Sequence, residues 1–459
     1  MTKKLLLFAY YFFTLFIASA QSWVELGTGA NALNAADYIN SIFVDASGNV
    51  YAAGYFTDSN NYYYVAKWDG TSWTELGKGG DSLKASLPIR SIFIDNNNNV
   101  YAGGGFKDAN GKEYVAKWNG STWSELGTGA NALGTSGSSY IYSVFVDGND
   151  NVYAAGQFYD ANDHIYVAKW NGSTWSELGT GANAFNTSLG NYIECIYVDA
   201  SGNVYAGGQY TDSNKDLYIG EFNGISWSEL STGKKLLNAN SYTRSICMDN
   251  TGNIYAAGNF TDSSGKFYVG KLNGSVWEEF GTGNAALNAN GDIYTISADN
   301  AGNLYAGGAF TDTSGNEYIA KWDGASWSQL GNSITPSGHI ISIFADAFGN
   351  IYAAGTFKNA NGKYYVAKYE PGSATGVTNS VSSTTILSVY PNPTNGNITI
   401  TAPEGGQVNF YNSLGQAVVT QTIAAGGSSI SIDKLSTGIY TIVLTGQNNS
   451  YTSAKIVKE

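Results

Sequence analysis

A tryptophan returns at nearly constant spacing along most of this chain: Trp23, Trp73, Trp123, Trp175, Trp227, Trp277 and Trp327. Each opens the segment W-x-E-L-G or a close variant. Self-similarity at roughly 50 residues marks a repeat architecture, in which copies of one unit bury each other's apolar faces. An aspartate supplies a second landmark. From aspartate to the next tryptophan the spacing is always 28 residues: 45 to 73, 95 to 123, 147 to 175, 199 to 227, 249 to 277 and 299 to 327. From tryptophan to the next aspartate it varies between 19 and 24. One stretch of each copy is therefore rigid, and the other is a loop.

Four strand-like runs fill the rigid stretch of the first copy, at 41–45 (A), 49–56 (B), 63–68 (C) and 73–76 (D). No stretch beyond residue 20 shows the helical period. Asp69-Gly70, Asn119-Gly120 and their counterparts join C to D, and such pairs favour tight hairpins. D-x-x-G-N joins A to B at Asp45, Asp199, Asp249, Asp299 and Asp346, with looser versions at Asp95 and Asp147. The aspartate is expected to cap the turn and the glycine to take the left-handed position. A rigid four-stranded unit with a variable crossover predicts an all-β chain, a seven-bladed β-propeller over 21–369. The last copy lacks its fourth strand, while residues 22–27 form a fourth strand without a blade. The amino-terminal strand is expected to complete the last blade and close the ring.

Residues 1–20 read as a signal peptide: Lys3 and Lys4, an apolar run, then Ala18-Ser19-Ala20. No later run is apolar enough to span a bilayer. The formal charge is −13, or −15 without Lys3 and Lys4, so nucleic acid is an unsuitable partner. Cys195 and Cys247 fall on equivalent strands of successive copies and are expected to be buried thiols. No cofactor or metal is expected. D-x-x-G-N offers too few oxygen ligands for calcium, and the turn itself explains its aspartate.

The motif V-D-A-S-G-N-V-Y-A-A-G-Y-F at 44–56 resembles a bacterial seven-bladed propeller repeat, and the strand order is similar to kelch propellers. This resemblance implies the fold and little about activity. Composition changes after Tyr369. Residues 370–385 suit a linker, and 386–459 alternate apolar strands with glycine turns, as in a small Ig-like β-sandwich. Within it, Pro391-Asn392-Pro393 with Gly396, Leu414-Gly415 and Gly438-Ile439-Tyr440 resemble the type A C-terminal sorting domain of the type IX secretion system of Bacteroidota. That resemblance implies the secretion machinery as a partner, and a secreted or cell-surface location with outer-membrane attachment after sorting.

Comparing copies within the chain points to one candidate site. Four residues before each landmark aspartate the residue is small. One residue earlier it changes from copy to copy: Asn40, Arg90, Tyr142, Glu194, Arg244, Tyr294 and Ile341. Two before that lie Tyr38, Pro88, Tyr140, Tyr192, Tyr242, Asp292 and His339. These residues are expected to ring the mouth of the central channel, where tyrosines stack on sugars or peptide side chains and Arg90, Arg244 and Glu194 hold polar groups. Only His164 and His339 occur, and no H-E-x-x-H, C-x-x-C or G-x-S-x-G motif is present. The expected function is a surface or secreted binding protein for a glycan, peptide or envelope protein. The alternatives are an extracellular polysaccharide hydrolase or lyase, and a non-catalytic adhesion scaffold.

Overall fold

The computed structural model describes residues 22–134, 139–160, 162–185, 192–211, 217–231, 242–334, 338–346, 349–370, 387–402, 405–411, 417–436, 438–446 and 451–458. The expected signal peptide lies outside them, as does the expected linker apart from Glu370, which ends a strand. The chain forms two compact units, one of Ser19–Gly372 and one containing Ser373–Glu459.

Among the described residues the first unit holds seven four-stranded antiparallel sheets. In blade 1 the strands are A (Ile39–Val44), B (Val50–Gly54), C (Ala66–Trp68) and D (Trp73–Glu75). The other A strands are Ile89–Ile94, Ile141–Val146, Tyr192–Val198, Thr243–Met248, Ile293–Ala298 and Ile340–Ala345. Each A strand packs on the A strands of both neighbours, and the last packs on the first. They therefore surround a common axis. Strand B is buried along its whole length, and the blade core lies between sheets. Tyr51 and Ala53 of blade 1, for example, cluster with Ile89, Ile92 and Ile94 of blade 2.

The aspartate turns form as their sequence requires. Asp45 Oδ1 accepts the N–H groups of Ser47 and Asn49, and Oδ2 accepts Asn49 Nδ2 and the Tyr51 hydroxyl. Gly48 takes φ 83°, and in the looser turns Asn98 and Asp150 take φ 62° and 63°. Strand C is shorter than expected. Thr57 and Tyr63 pair in a small loop around Asp58, which turns the chain so that Tyr64 packs edge-on against Phe56 before the ladder resumes at Ala66. Both cysteines are free, but Cys195 is only half-buried. It occupies the channel-side position that is serine or threonine in the other copies.

The ring closes as expected. Strand Ser22–Glu25 pairs with Ala367–Glu370 of blade 7, setting Trp23 opposite Tyr369. The tryptophans add a bond between blades, because each indole N–H reaches the carbonyl that follows strand D of the preceding blade. Trp73 donates to Leu26 at 2.7 Å, Trp175 to Leu126 at 2.7 Å and Trp327 to Phe280 at 2.8 Å. Trp23 continues the series across the joint, donating to Leu330 at 3.2 Å. The buried Trp277 indole nitrogen is the exception and has no partner among the described residues.

The second unit is a sandwich of two sheets. Ser388–Tyr390, Asn397–Ala402 and Gly426–Ser431 form one, and Ala417–Ile423, Gly406–Tyr411, Gly438–Gly446 and Tyr451–Lys458 the other. Ile398, Ile400, Val408, Phe410, Ile442, Leu444 and Ile456 fill the space between.

Strand A carries one feature that its sequence did not announce. In all seven blades its ladder slips by one residue, at Asn40, Arg90, Tyr142, Glu194, Arg244, Tyr294 and Ile341. Each slip is a β-bulge, which leaves one residue unpaired and re-aims its side chain. The bulge draws the carbonyl two residues earlier over the last glycine of strand B. A Cβ on Gly54 would lie 2.3 Å from Tyr38 O, and one on Gly156 1.9 Å from Tyr140 O. Only glycine fits there.

Two stability measurements follow. Gly156→Ala forces the bulge outward and should cost about 1–3 kcal/mol by the cost of overpacking. Gly148→Ala, where a Cβ meets nothing within 4 Å, should change stability by less than about 0.5 kcal/mol. Equal urea midpoints for the two variants would contradict the bulge constraint. Trp23→Ala should cost about 2–3 kcal/mol, because it removes a half-buried ring from the joint that closes the circle. An unchanged thermal midpoint would mean that the joint does not depend on it.

Candidate functional site

The seven bulge residues come from seven blades and line one cavity of about 380 Å³ at the channel mouth, together with Tyr38, His339 and Thr356. Nine of the residues singled out in the sequence thus meet there: Tyr38, Asn40, Arg90, Tyr142, Glu194, Arg244, Tyr294, His339 and Ile341. Pro88, Tyr140, Tyr192, Tyr242 and Asp292 are not among the lining residues. Tyr140 lies nearly parallel to Tyr142 with centroids 6.0 Å apart, and Tyr192 packs on Tyr142 at 5.3 Å. Tyr242 lies under the Arg244 guanidinium at 4.5 Å, and Asp292 accepts Asn259 Nδ2 at 3.2 Å.

The floor of the mouth is a ring of hydroxyls. Ser41 accepts the backbone N–H of Ile92 in the next blade at 3.2 Å, Ser91 that of Val144 at 3.1 Å and Ser143 that of Ile196 at 3.2 Å. Ser245, Thr295 and Ser342 repeat the bond to Ile296, Ile343 and Ile42. This explains the small residue noted in the sequence: it is the hydroxyl, as well as the size, that recurs. These bonds satisfy amides on the inner edge of strand A, which the sheet leaves unpaired. Beyond them Phe43, Phe93, Phe145, Tyr197 and Phe344 form an aromatic collar, with Phe43 4.9 Å from Phe93 and 4.7 Å from Phe344.

Arg90 and Arg244 are the only arginines in the sequence, and both line this cavity. Each guanidinium lies between aromatic faces. Arg90 is 5.1 Å from the Tyr55 ring and 5.7 Å from Tyr142, and Arg244 is 4.5 Å from both Tyr242 and Tyr294. Their partners differ. Arg244 stands 3.7 Å from the Glu194 carboxylate and donates to the Tyr242 hydroxyl. Arg90 makes no hydrogen bond or ion pair among the described residues. The Nε atoms of both arginines are buried without an acceptor among the described residues.

Burial raises the Glu194 carboxyl pKa above its ordinary value, and Arg244 and then Arg90 offset only part of that rise. Desolvation likewise pushes Tyr38 and Tyr192 up to about 12 and raises Tyr142 and Tyr294, so these phenols stay protonated near neutral pH. His339 lies 3.6 Å from Glu317 and edge-on to Tyr294. The arrangement can hold an anion, accept or donate hydrogen bonds and stack a flat face. Among the described residues no group of three or more His, Cys, Asp or Glu is placed to hold a metal ion.

Tyr55 and Thr356 were not anticipated. They immediately follow the last glycine of strand B, a position that also varies between copies: Tyr55, Gly105, Gln157, Gln209, Asn259, Ala309 and Thr356. Tyr55 stacks on Tyr38 at 4.2 Å and supports Arg90. Internal variation, the signal used for strand A, was available here too.

In the second unit the resembling motif is tied to the last strand. Asn392 Oδ1 accepts Val457 N at 2.8 Å, and Thr394 N donates to Val457 O at 2.9 Å. Pro391 and Pro393 flank that asparagine. Gly396 O accepts Ile432 N, Gly438 pairs with Lys458, and the buried Tyr440 donates to Ser436 O. Leu414-Gly415 lies outside the described residues.

Residues 388–459 match the family described as the secretion system C-terminal sorting domain. Among curated proteins none matches. Among solved structures, PorZ, a surface component of the type IX secretion system of Porphyromonas gingivalis, is 14% identical with a TM-score of 0.47. That match covers 94% of this chain and 60% of PorZ, so this chain spans less than two thirds of that protein. YCF48, in a structure with a D1 peptide, is 11% identical with a TM-score of 0.50, over 78% of this chain and 97% of its own. The WD40 β-propeller domain of Doa1 is 13% identical with a TM-score of 0.47, over 77% and 97%. At these identities the likeness concerns the fold alone.

Ionised Glu194 is better solvated in the unfolded chain than in the mouth, so its raised pKa costs the folded state at neutral pH. Its stability contribution is fully present below the ordinary carboxylate value and is lost as pH rises through the raised one. Glu194→Gln removes this dependence. Between about pH 7 and about pH 4 the thermal midpoint of the wild type should gain on that of the variant. A constant difference would contradict the burial of this carboxylate. No helix among the described residues is long and apolar enough to cross a membrane, and the carboxyl-terminal match supplies the address: this is a secreted or cell-surface β-propeller bearing a type IX sorting domain.

Proposed function

We propose that the propeller is a binding protein whose ligand enters the channel mouth, exported from the cell and delivered to the surface by its carboxyl-terminal domain. One observation carries the reading. Seven bulges in an otherwise repetitive framework aim seven side chains of mixed chemistry into a single cavity, and both arginines of the chain are among them. A passive scaffold needs no such convergence. Bulges that re-aim side chains recur next to functional sites, and concave sites with a few placed polar groups are where ligands bind. In the same reading Pro391, Asn392, Pro393, Gly396, Gly438 and Tyr440 form the part of the sorting domain read by the secretion machinery. The domain boundaries then follow as a signal peptide at 1–20, the propeller at 21–369, a linker at 370–385 and the sorting domain at 386–459.

The mature chain probed on glycan and peptide arrays should retain a defined set of ligands. The combined Arg90→Ala, Glu194→Ala, Arg244→Ala variant should lose them by at least about a hundredfold, the sum of two charge-assisted contacts. Ligands held equally well by that variant, at an unchanged melting temperature, would remove the mouth from consideration and favour the scaffold reading.

A further inference from the structure

We propose that the ligand of the mouth is an acidic sugar, a hexuronate unit whose carboxylate seats on Arg90. This rests on the reading of the mouth as a ligand site and names its chemistry.

The first step concerns charge. The chain carries −13 overall and has only two guanidinium groups, both in this cavity. Arg244 is already engaged by Glu194 and the Tyr242 hydroxyl. Arg90 is half-buried between two tyrosine faces, lines the cavity, and has no hydrogen-bond or ion-pair partner among the described residues. A partly desolvated cation without a counter-charge is a place where an incoming anion gains a charge-assisted contact. The planar guanidinium fork matches a carboxylate in two parallel hydrogen bonds. Among the described residues Glu194 is the only carboxylate lining the cavity, against Arg90 and Arg244, so the lining is net positive. That balance suits one carboxylate seated in the mouth.

The second step separates sugar from peptide. A peptide that binds by its main chain needs unpaired amides along a strand edge. Here the inner edge of strand A already donates Ile42, Ile92, Val144, Ile196, Ile296 and Ile343 N–H groups to the hydroxyl ring. A peptide that binds by its side chains needs apolar pockets, yet among the described residues Ile341 is the only aliphatic one lining the cavity. What the mouth does offer is tyrosine faces, phenol hydroxyls held protonated, and the Asn40 amide. Flat aromatic faces beside hydrogen-bonding groups suit a pyranose ring, which has apolar C–H faces and a rim of hydroxyls.

Calorimetry on the mature full chain tests this with three acidic probes: trigalacturonate, trimannuronate and a hyaluronan tetrasaccharide, which carries glucuronate. Fully methyl-esterified trigalacturonate, a neutral cello-oligosaccharide, a sulfated disaccharide and an acidic hexapeptide serve as comparisons. At least one uronate oligomer should bind, and the arm that binds identifies the sugar. Its affinity should fall at least tenfold with Arg90→Ala and less with Arg90→Lys, which keeps the charge but not the fork. Esterification of trigalacturonate, where that is the ligand, should have the same effect as Arg90→Ala. Unchanged melting of the variants separates this loss from unfolding. The proposal is overturned if no uronate oligomer binds, if the ester binds as well as the acid, if the sulfated sugar or the peptide binds more tightly, or if Arg90→Ala binds like the wild type. If mouth-dependent ligands from the arrays are then neutral or peptidic, only the uronate assignment falls. If the triple variant keeps all its ligands, the mouth reading itself falls.

Discussion

The molecule depends on one backbone event repeated seven times, a bulge in the innermost strand set against a glycine, and relieved in six of the blades by a hydroxyl. The bulge tucks a carbonyl over the last glycine of strand B, where it accepts the N–H that follows, as Tyr38 O does from Tyr55 N at 2.9 Å. It also turns one residue out of the ladder and into the channel. The serine or threonine that follows then accepts an amide from the next blade. Local twist, blade-to-blade bonding and the aim of the functional side chain are thus three consequences of one added residue. The framework fixes the direction of the side chain while leaving its chemistry free, and that combination lets unlike residues meet in one cavity.

Bonding between blades occurs at two radii. Near the axis the hydroxyl ring links strands A, and farther out the strand-D indoles reach back to the preceding blade. Both series cross the joint between the ends of the chain, through Ile42 N to Ser342 and Trp23 Nε1 to Leu330 O. The closure therefore carries the same two bonds as the other blade boundaries, except that between blades 4 and 5, where Cys195 replaces the serine and the Trp277 indole has no partner among the described residues. An array closed in this way presents short, covered strand edges and no open end, which suits a protein that leaves the cell.

Much of the fold could be read from the sequence because its signals are local and repeated. Asp-x-x-Gly-Asn and Asn-Gly turns fix where strands stop, and invariant spacing separates blade from crossover. The bulge escaped because strand A was read as starting at Ser41, one residue after the position that leaves the ladder. Yet two marks of it were present: a glycine that never varies at Gly54 and its counterparts, and a residue that always varies at Asn40 and its counterparts. The mouth residues were legible through that variation. Tyr55 and Thr356 were missed because the position after the glycine was taken as the end of a strand rather than as the cavity wall. The hydroxyl ring was seen as a size preference, since no sequence pattern states which amide a serine will meet 51 residues away, as Ser41 meets Ile92.

Variation between copies separates stability from function in this chain without reference to any other protein. Positions that serve the framework repeat: the turn aspartates, the strand-B tyrosine whose hydroxyl they accept, the glycine beneath the bulge and the strand-D tryptophan. Positions that face the channel do not. If the bulge residues were only solvated rim, neutral drift would leave them mostly small or polar, as at the exposed turn positions. Instead they include two arginines, one glutamate and two tyrosines, and each arginine is bracketed by aromatic rings contributed by its own blade or a neighbour. Bracketing takes several positions changing together: Tyr55 and Tyr142 around Arg90, Tyr242 and Tyr294 around Arg244. A guanidinium held in this way has lost side-chain freedom, and that of Arg90 still faces the cavity without an acceptor among the described residues.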